Sequence, residues 1–105
     1  MKILLILKRG PKTMEAQRAL EMAREMAALG HQVSLFLLQE GVHLARRVAG
    51  EPDSLWPEGL AVQVLAQDLS LRGFGPDWLR ESVLLGSYES LVELIEKSDR
   101  VIGVL

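Results

Sequence analysis

The sequence predicts an α/β protein of three layers, with helices on both faces of a mainly parallel five-stranded sheet. Two apolar runs carry this reading: Ile3 to Leu7 is unbroken, and Val33 to Leu38 is interrupted only by Ser34. A strand that alternates apolar and polar residues has one wet face, whereas a continuous apolar run suits a strand covered on both sides, as in a parallel sheet. The third observation is the helical stretch between the runs. Strand, helix and strand in this order form a unit whose crossover is right-handed.

In that helical stretch Ala16, Ala19, Leu20, Ala23, Met26 and Ala27 form one stripe, with Glu15, Arg18, Glu21, Arg24 and Glu25 largely off it. Thr13 suits the N-cap, Glu15 the positive end of the helix dipole, and Gly30 the C-terminal stop. After the second strand, "QEGVHLARRVAG" predicts a short helix from about Gly41 to Val48. "GEPDSLWPEG" is a loop around Trp56, of a length more often functional than decorative. Ala61 to Ala66 reads as a third strand with Val62, Val64 and Ala66 on one face. The turn-rich "RGFGPDWLRE" leads to a short fourth strand at Val83 to Leu85. A helix beginning at Gly86 or Ser87 carries Leu91, Val92, Leu94 and Ile95 and ends near Ser98; Arg100 to Leu105 is the fifth strand. There is no internal repeat and no low-complexity segment.

The chain of 105 residues is read as one domain, 1–105, and its 49% hydrophobic content suffices for a single core. A net charge of −2 offers no broad attraction to nucleic acid or to an anionic membrane, so neither is expected as a direct partner. The opening apolar run stops at Lys8-Arg9, too soon for a secretory signal or a membrane span, and the protein is expected in the cytoplasm. Cysteine is absent, which removes disulfides and thiolate metal sites; asparagine is absent too, a compositional hint of a thermophilic source.

In parallel sheets ligands gather beyond the carboxyl ends of the strands. That rule groups Lys8-Arg9-Gly10, Gln39-Glu40-Gly41 and Gln67-Asp68, and it makes Lys8, Arg9, Glu40, Gln67 and Asp68 candidate ligand-binding residues. The loop "LKRGPKTME" has the glycine, lysine and threonine of a phosphate loop, but the glycine five residues upstream is missing and Pro11 separates Gly10 from Lys12. A turn that caps the following helix is the simpler account of it. His31 and His43 are too far apart in sequence, and too lightly accompanied, to suggest a metal site, and no cofactor is expected. His31 fits a solvent-facing place at a helix C-terminus, while His43 could act as acid or base only beside a partner such as Glu40. Asp68 and Arg72 stand four apart, the spacing of an ion pair on a helical turn or of two groups lining a cleft or a subunit interface. Trp56, Phe74 and Trp78 fall in loops or turns, where they either anchor protein contacts or seal the ends of the sheet. No serine stands in a nucleophile elbow.

The segments "KILLILKRGP", "LGHQVSLFLL", "QEGVHLA", "VLAQDLSLRG" and "SYESLVELIEKSDRVIGV", in this order and spacing, resemble the DsrE/DsrF/DsrH superfamily of small sulfur-relay proteins over nearly the whole chain. Asp68, Arg72 and Gly73 are similar to the D-x-x-x-R-G segment of the DsrH/TusB branch, and Glu40-Gly41-Val42 to its acidic-Gly-Val turn, whereas the long first helix is more like the DsrE branch. The resemblance implies a compact fold, flavodoxin-like or DsrE-like, and assembly as a homo-oligomer or with cysteine-containing DsrE-like partners. It also implies a place in persulfide relay toward tRNA thiolation or sulfur oxidation. Transferring members carry a reactive cysteine near the end of the third strand. Here that region reads Leu65-Ala66-Gln67-Asp68. A thiolate is the nucleophile that such transfer needs, so the resemblance implies a non-catalytic structural or regulatory subunit, with Trp56, Arg72, Phe74 and Trp78 as candidate interface residues. Two rivals stand beside it. One is a small-molecule or nucleotide-binding module using Lys8, Arg9, Lys12 and Gln67. The other is an enzyme using Asp68, Glu40 or His43 in acid-base chemistry.

Overall fold

A computed structural model describes residues 1–50 and 59–104. Five strands, β1 (Lys2–Leu7), β2 (Gln32–Leu37), β3 (Leu60–Leu65), β4 (Leu84–Gly86) and β5 (Arg100–Val104), form one sheet in the order β4-β3-β2-β1-β5. All four pairings are parallel. The helices are α1 (Met14–Ala28), α2 (Ala66–Leu71) and α3 (Tyr88–Lys97), joined by 3₁₀ turns at Gln39–Ala45 and Pro76–Trp78. The order differs from the 2-1-3-4-5 order of flavodoxin itself, while the layers and the pairing are those expected.

The order dictates the layers. From β1 to β4 each step moves to the next neighbour in the same direction, so right-handed crossovers put α1, the first 3₁₀ turn and α2 on one face. The step from β4 to β5 goes back across three strands to the far side of β1, and the same handedness sends α3 to the opposite face. Alternation along the strands then divides the core. Leu5, Leu7, Val33, Leu35, Leu37, Val62 and Val64 pack with Ala16, Ala19 and Ala23 of α1, while Leu4, Ile6, Phe36 and Leu65 point to the α3 side.

Local chemistry fixes the ends of the elements. Thr13 is the N-cap of α1, its Oγ1 accepting from the Ala16 amide at 3.2 Å. At the other end Gly30, at φ +91°, lets its own amide reach the Ala27 carbonyl and the His31 amide reach that of Met26, a glycine-closed helix end. It is thus the main chain of His31, not its ring, that finishes α1. Ser87 and Ser90 bond reciprocally at the start of α3, each side chain accepting from the other's amide.

Several boundaries differ from expectation: β2 runs Gln32–Leu37 instead of Val33 to Leu38, β4 runs Leu84–Gly86 instead of Val83 to Leu85, and two further differences change the type of element. The helix predicted at about Gly41 to Val48 is a 3₁₀ turn that starts at Gln39 and ends at Ala45. The third strand stops at Leu65, and Ala66 opens α2, so the face assigned to Val62, Val64 and Ala66 loses its last member to a helix. Trp56 lies outside the described residues.

Candidate functional site

The carboxyl ends of β1, β2 and β3 meet around the first 3₁₀ turn. Gly41 sits against β1 so closely that a Cβ there would lie 2.4 Å from the Leu7 carbonyl oxygen, which makes glycine the residue this approach requires. Its amide donates to the Leu38 carbonyl at 2.8 Å, and the Leu38 amide donates to Leu7 at 2.9 Å. Between these, Gln39 takes φ +48°, the only non-glycine with positive φ among the described residues. The Asp68 carboxylate holds it there: Oδ2 accepts from the Gln39 amide at 2.7 Å.

Arg72 completes the tie between the 3₁₀ turn and α2. Its Nη2 and Nε donate to Glu40 Oε1 at 2.9 and 3.3 Å, and its Nη1 donates to the Asp68 carbonyl at 3.1 Å. The expected pairing of Asp68 with Arg72 through the carboxylate is therefore replaced: the carboxylate takes the Gln39 amide, and the guanidinium takes Glu40. Chain spacing gave no sign of this, because Glu40 and Asp68 come together only when β2 and β3 pair. The Arg72 hydrogen bonds hold Glu40 below the ordinary carboxylate range, with the charges of Arg72 and His43 adding to the effect. His43 Nε2 lies 3.2 Å from Glu40 Oε2, the neighbour that an acid-base role for this histidine requires.

The aromatic side chains serve the same corner. Phe74 and Trp78 stack with centroids 4.2 Å apart, and the edge of His43 meets both at 5.8 and 5.9 Å. Both rings are partly buried against the α1-side core, a place that closes the end of the sheet.

Beside this corner, over the ends of β1 and β2, lies a depression of ≈ 380 Å³ lined by Lys8, Arg9, Gly10, Thr13, Gln39 and Glu40. Of the three expected groups, Lys8-Arg9-Gly10 lines the depression whole, the second contributes Gln39 and Glu40, and the third divides: Asp68 supports the wall from behind, while Gln67 is exposed on α2 and does not line the depression. The phosphate-loop resemblance dissolves in the loop geometry. Both the amide and the hydroxyl of Thr13 donate to the Gly10 carbonyl, at 3.2 and 2.8 Å, in a helix-capping turn. Among the described residues no three His, Cys, Asp or Glu gather as metal ligands. No helix among them is long and apolar enough to cross a membrane.

The family model for DsrE/DsrF-like proteins matches residues 1–104. The chain belongs to the DsrE/DsrF-like family. Its fold is similar to that of the ychN protein from E. coli, with a TM-score of 0.81 and 18% identity over 100% of this chain and 99% of that one. It is also similar to MTH1491 from Methanobacterium thermoautotrophicum, a protein of unknown function, with a TM-score of 0.76 and 16% identity over 94% and 96% of the two chains. Protein Tm0979 from Thermotoga maritima matches with a TM-score of 0.60 and 20% identity over 90% and 91%. No curated protein matches in sequence. In this DsrE-like chain the end of β3 passes directly into α2, and the residues there, Asp68 and Arg72, are spent on tying α2 to the 3₁₀ turn.

Proposed function

We propose that this single-domain, cytoplasmic DsrE-like protein is a non-catalytic subunit, structural or regulatory, of an assembly related to intracellular sulfur relay. The observation that carries the reading is the incomplete cover of one sheet face. Among the described residues α3 lies alone there and has no fully buried residue, while Tyr88, Val92 and Ile95 are exposed along it. Register extends the apolar surface to both margins. Leu84 of β4 pairs with Gln63, which pairs with the α3-side Phe36, so Leu84 faces the α3 side; Val101 of β5 pairs with Leu4 and faces the same way. Both are exposed. An apolar surface spread over a helix and both edge strands favours burial against another chain of the same kind, because stable monomers rarely leave such a patch open. The absence of cysteine supports the non-catalytic part, since neither the amide of Gln67 nor the carboxylate of Asp68 can carry a sulfane sulfur.

The acid-base alternative receives little support from the corner. Asp68 is engaged by the Gln39 amide, and a Glu40 held below the ordinary carboxylate range is a weak proton acceptor at neutral pH. The test is native mass spectrometry of the purified protein, alone and co-expressed with a cysteine-bearing DsrE-like chain. An oligomer or a stoichiometric mixed complex that Val92→Glu disperses is the expected result. A monomer that binds neither itself nor that partner removes the proposal.

A further inference from the structure

We infer that the depression over the ends of β1 and β2 is a binding site for a small tetrahedral oxyanion of the phosphate or sulfate type, held by Lys8 and Arg9 with Gln39 beside them. This goes beyond the assembly reading and does not depend on it, since the depression and the α3 face lie on different parts of the sheet.

Three observations converge. The first is charge. Lys8 and Arg9 both line the depression, and neither is paired with a carboxylate among the described residues, whereas the one acid in the lining, Glu40, is already engaged by Arg72 and approached by His43. The lining is therefore positive in balance, and a site of this sign selects an anion. The second is chemistry of shape. Among the described residues no purely aliphatic or aromatic side chain lines the depression, so it offers a nucleobase or an acyl chain little to pack on, although organic ligands ordinarily rest on apolar walls. What suits it is a compact, hydrogen-bonding anion. The arginine can meet two oxygens at once and the lysine can meet one as a point charge.

The third observation is the construction of the wall. Gln39 is held at φ +48° on the rim, and a non-glycine residue in this region is retained only where its surroundings enforce it. Here they do, through the Asp68 carboxylate on its amide and the glycine contact of Gly41 against Leu7. The same bond that ties α2 to the turn thus also fixes the rim of the depression. Arg72 belongs to the same construction as a positioning residue: by engaging Glu40 it keeps that carboxylate from repelling an incoming anion.

The test is an amide-resolved NMR titration of the full chain with inorganic phosphate, sulfate and thiosulfate, each at constant ionic strength made up with sodium chloride. Saturable shifts confined to residues 8–13 and 39–40 are expected. The anion that saturates at the lowest concentration separates phosphate from sulfur oxyanions as the source. Lys8→Met with Arg9→Met should weaken binding by at least about tenfold, since each lost ionic contact is worth about that factor. Glu40→Gln should tighten it severalfold, a change that damage to the fold could not produce, while Arg18→Met on α1 should leave it unchanged. Shifts that follow chloride equally well, or a double variant with the affinity of the parent, overturn the inference.

Discussion

The two faces of the sheet are built to different standards. On one, α1, the first 3₁₀ turn and α2 close a continuous core of buried side chains, with only Leu85 of β4 exposed at its margin among the sheet's apolar residues described. On the other, among the described residues, only α3 shelters the four buried residues, packing Leu91 and Leu94 on them and leaving Tyr88, Val92 and Ile95 in the open. Adjacent residues of one strand show the division, since Leu35 belongs to the first core and Phe36 to the second, and both are fully buried. A face that is closed within the chain contributes to the folding of the chain. A face closed only in part contributes to folding and leaves a surface for association.

The largest effects come from that adjacent pair. Leu35→Ala should cost about 2–5 kcal/mol and Phe36→Ala about 3–5 kcal/mol in urea unfolding. The comparison is sharpened by assembly: Phe36→Ala should also raise the concentration at which the oligomer dissociates, seen by sedimentation, whereas Leu35→Ala should not. Equal effects of the two on dissociation would break the distinction between the faces.

Next in size is Gly41→Ala. The added Cβ meets a main-chain oxygen, which cannot rotate away as a side chain can, and a loss of about 1–3 kcal/mol is expected from the forced shift. A thermal melt of the variant with no decrease would show that the 3₁₀ turn can retreat from β1. Smaller again are the caps. Thr13→Ala on the closed face and Ser87→Ala on the open one should each cost about 1 kcal/mol by denaturant titration, because each removes an acceptor from a helix's first turn. If assembly reinforces α3, the loss from Ser87→Ala should shrink as protein concentration rises, and that from Thr13→Ala should stay constant.

The smallest effect is one of pH. Burial does not isolate Glu40, so its contribution is modest, but its sign is fixed. A folded-state pKa held below the ordinary carboxylate value means that the bond to Arg72 adds stability above the unfolded pKa and loses it as pH falls through the folded one. Urea midpoints measured downward from neutral pH should therefore fall less in Glu40→Gln than in the parent through the acid range.

Much of this architecture was legible in the sequence, and for identifiable reasons. Unbroken apolar runs mark β1 and β2 because burial on both faces leaves no polar position to alternate. Thr13, Gly30 and the serines of α3 act through neighbours three to five residues away, so their roles could be read locally. The grouping of Lys8-Arg9-Gly10 with Gln39-Glu40 followed from a rule about strand ends. What stayed hidden is what depends on pairing across the sheet. The bond from Asp68 to Gln39 spans 29 positions, and that from Arg72 to Glu40 spans 32. No local period announces either. The 3₁₀ form of the first turn was hidden as well, since the close approach of Gly41 to Leu7 depends on contacts far apart in sequence.

The position of β1 between β2 and β5 has a consequence for how the chain is made. Ile3 pairs with Val33 on one side and with Arg100 on the other, so the two neighbours of one strand leave the ribosome far apart in time. β1 can join β2 early, but its second edge, along Ile3 to Leu7, must wait until residues 100–104 have been synthesised. Pairing over such a separation is slow, and an open apolar edge recruits other strands in the interval. Pulsed hydrogen exchange during refolding should find the β2 amides protected before those of β5; simultaneous protection would mean that the sheet closes in one step. The order in which the strands are made, and not only the final free energy, then bears on how this sheet closes.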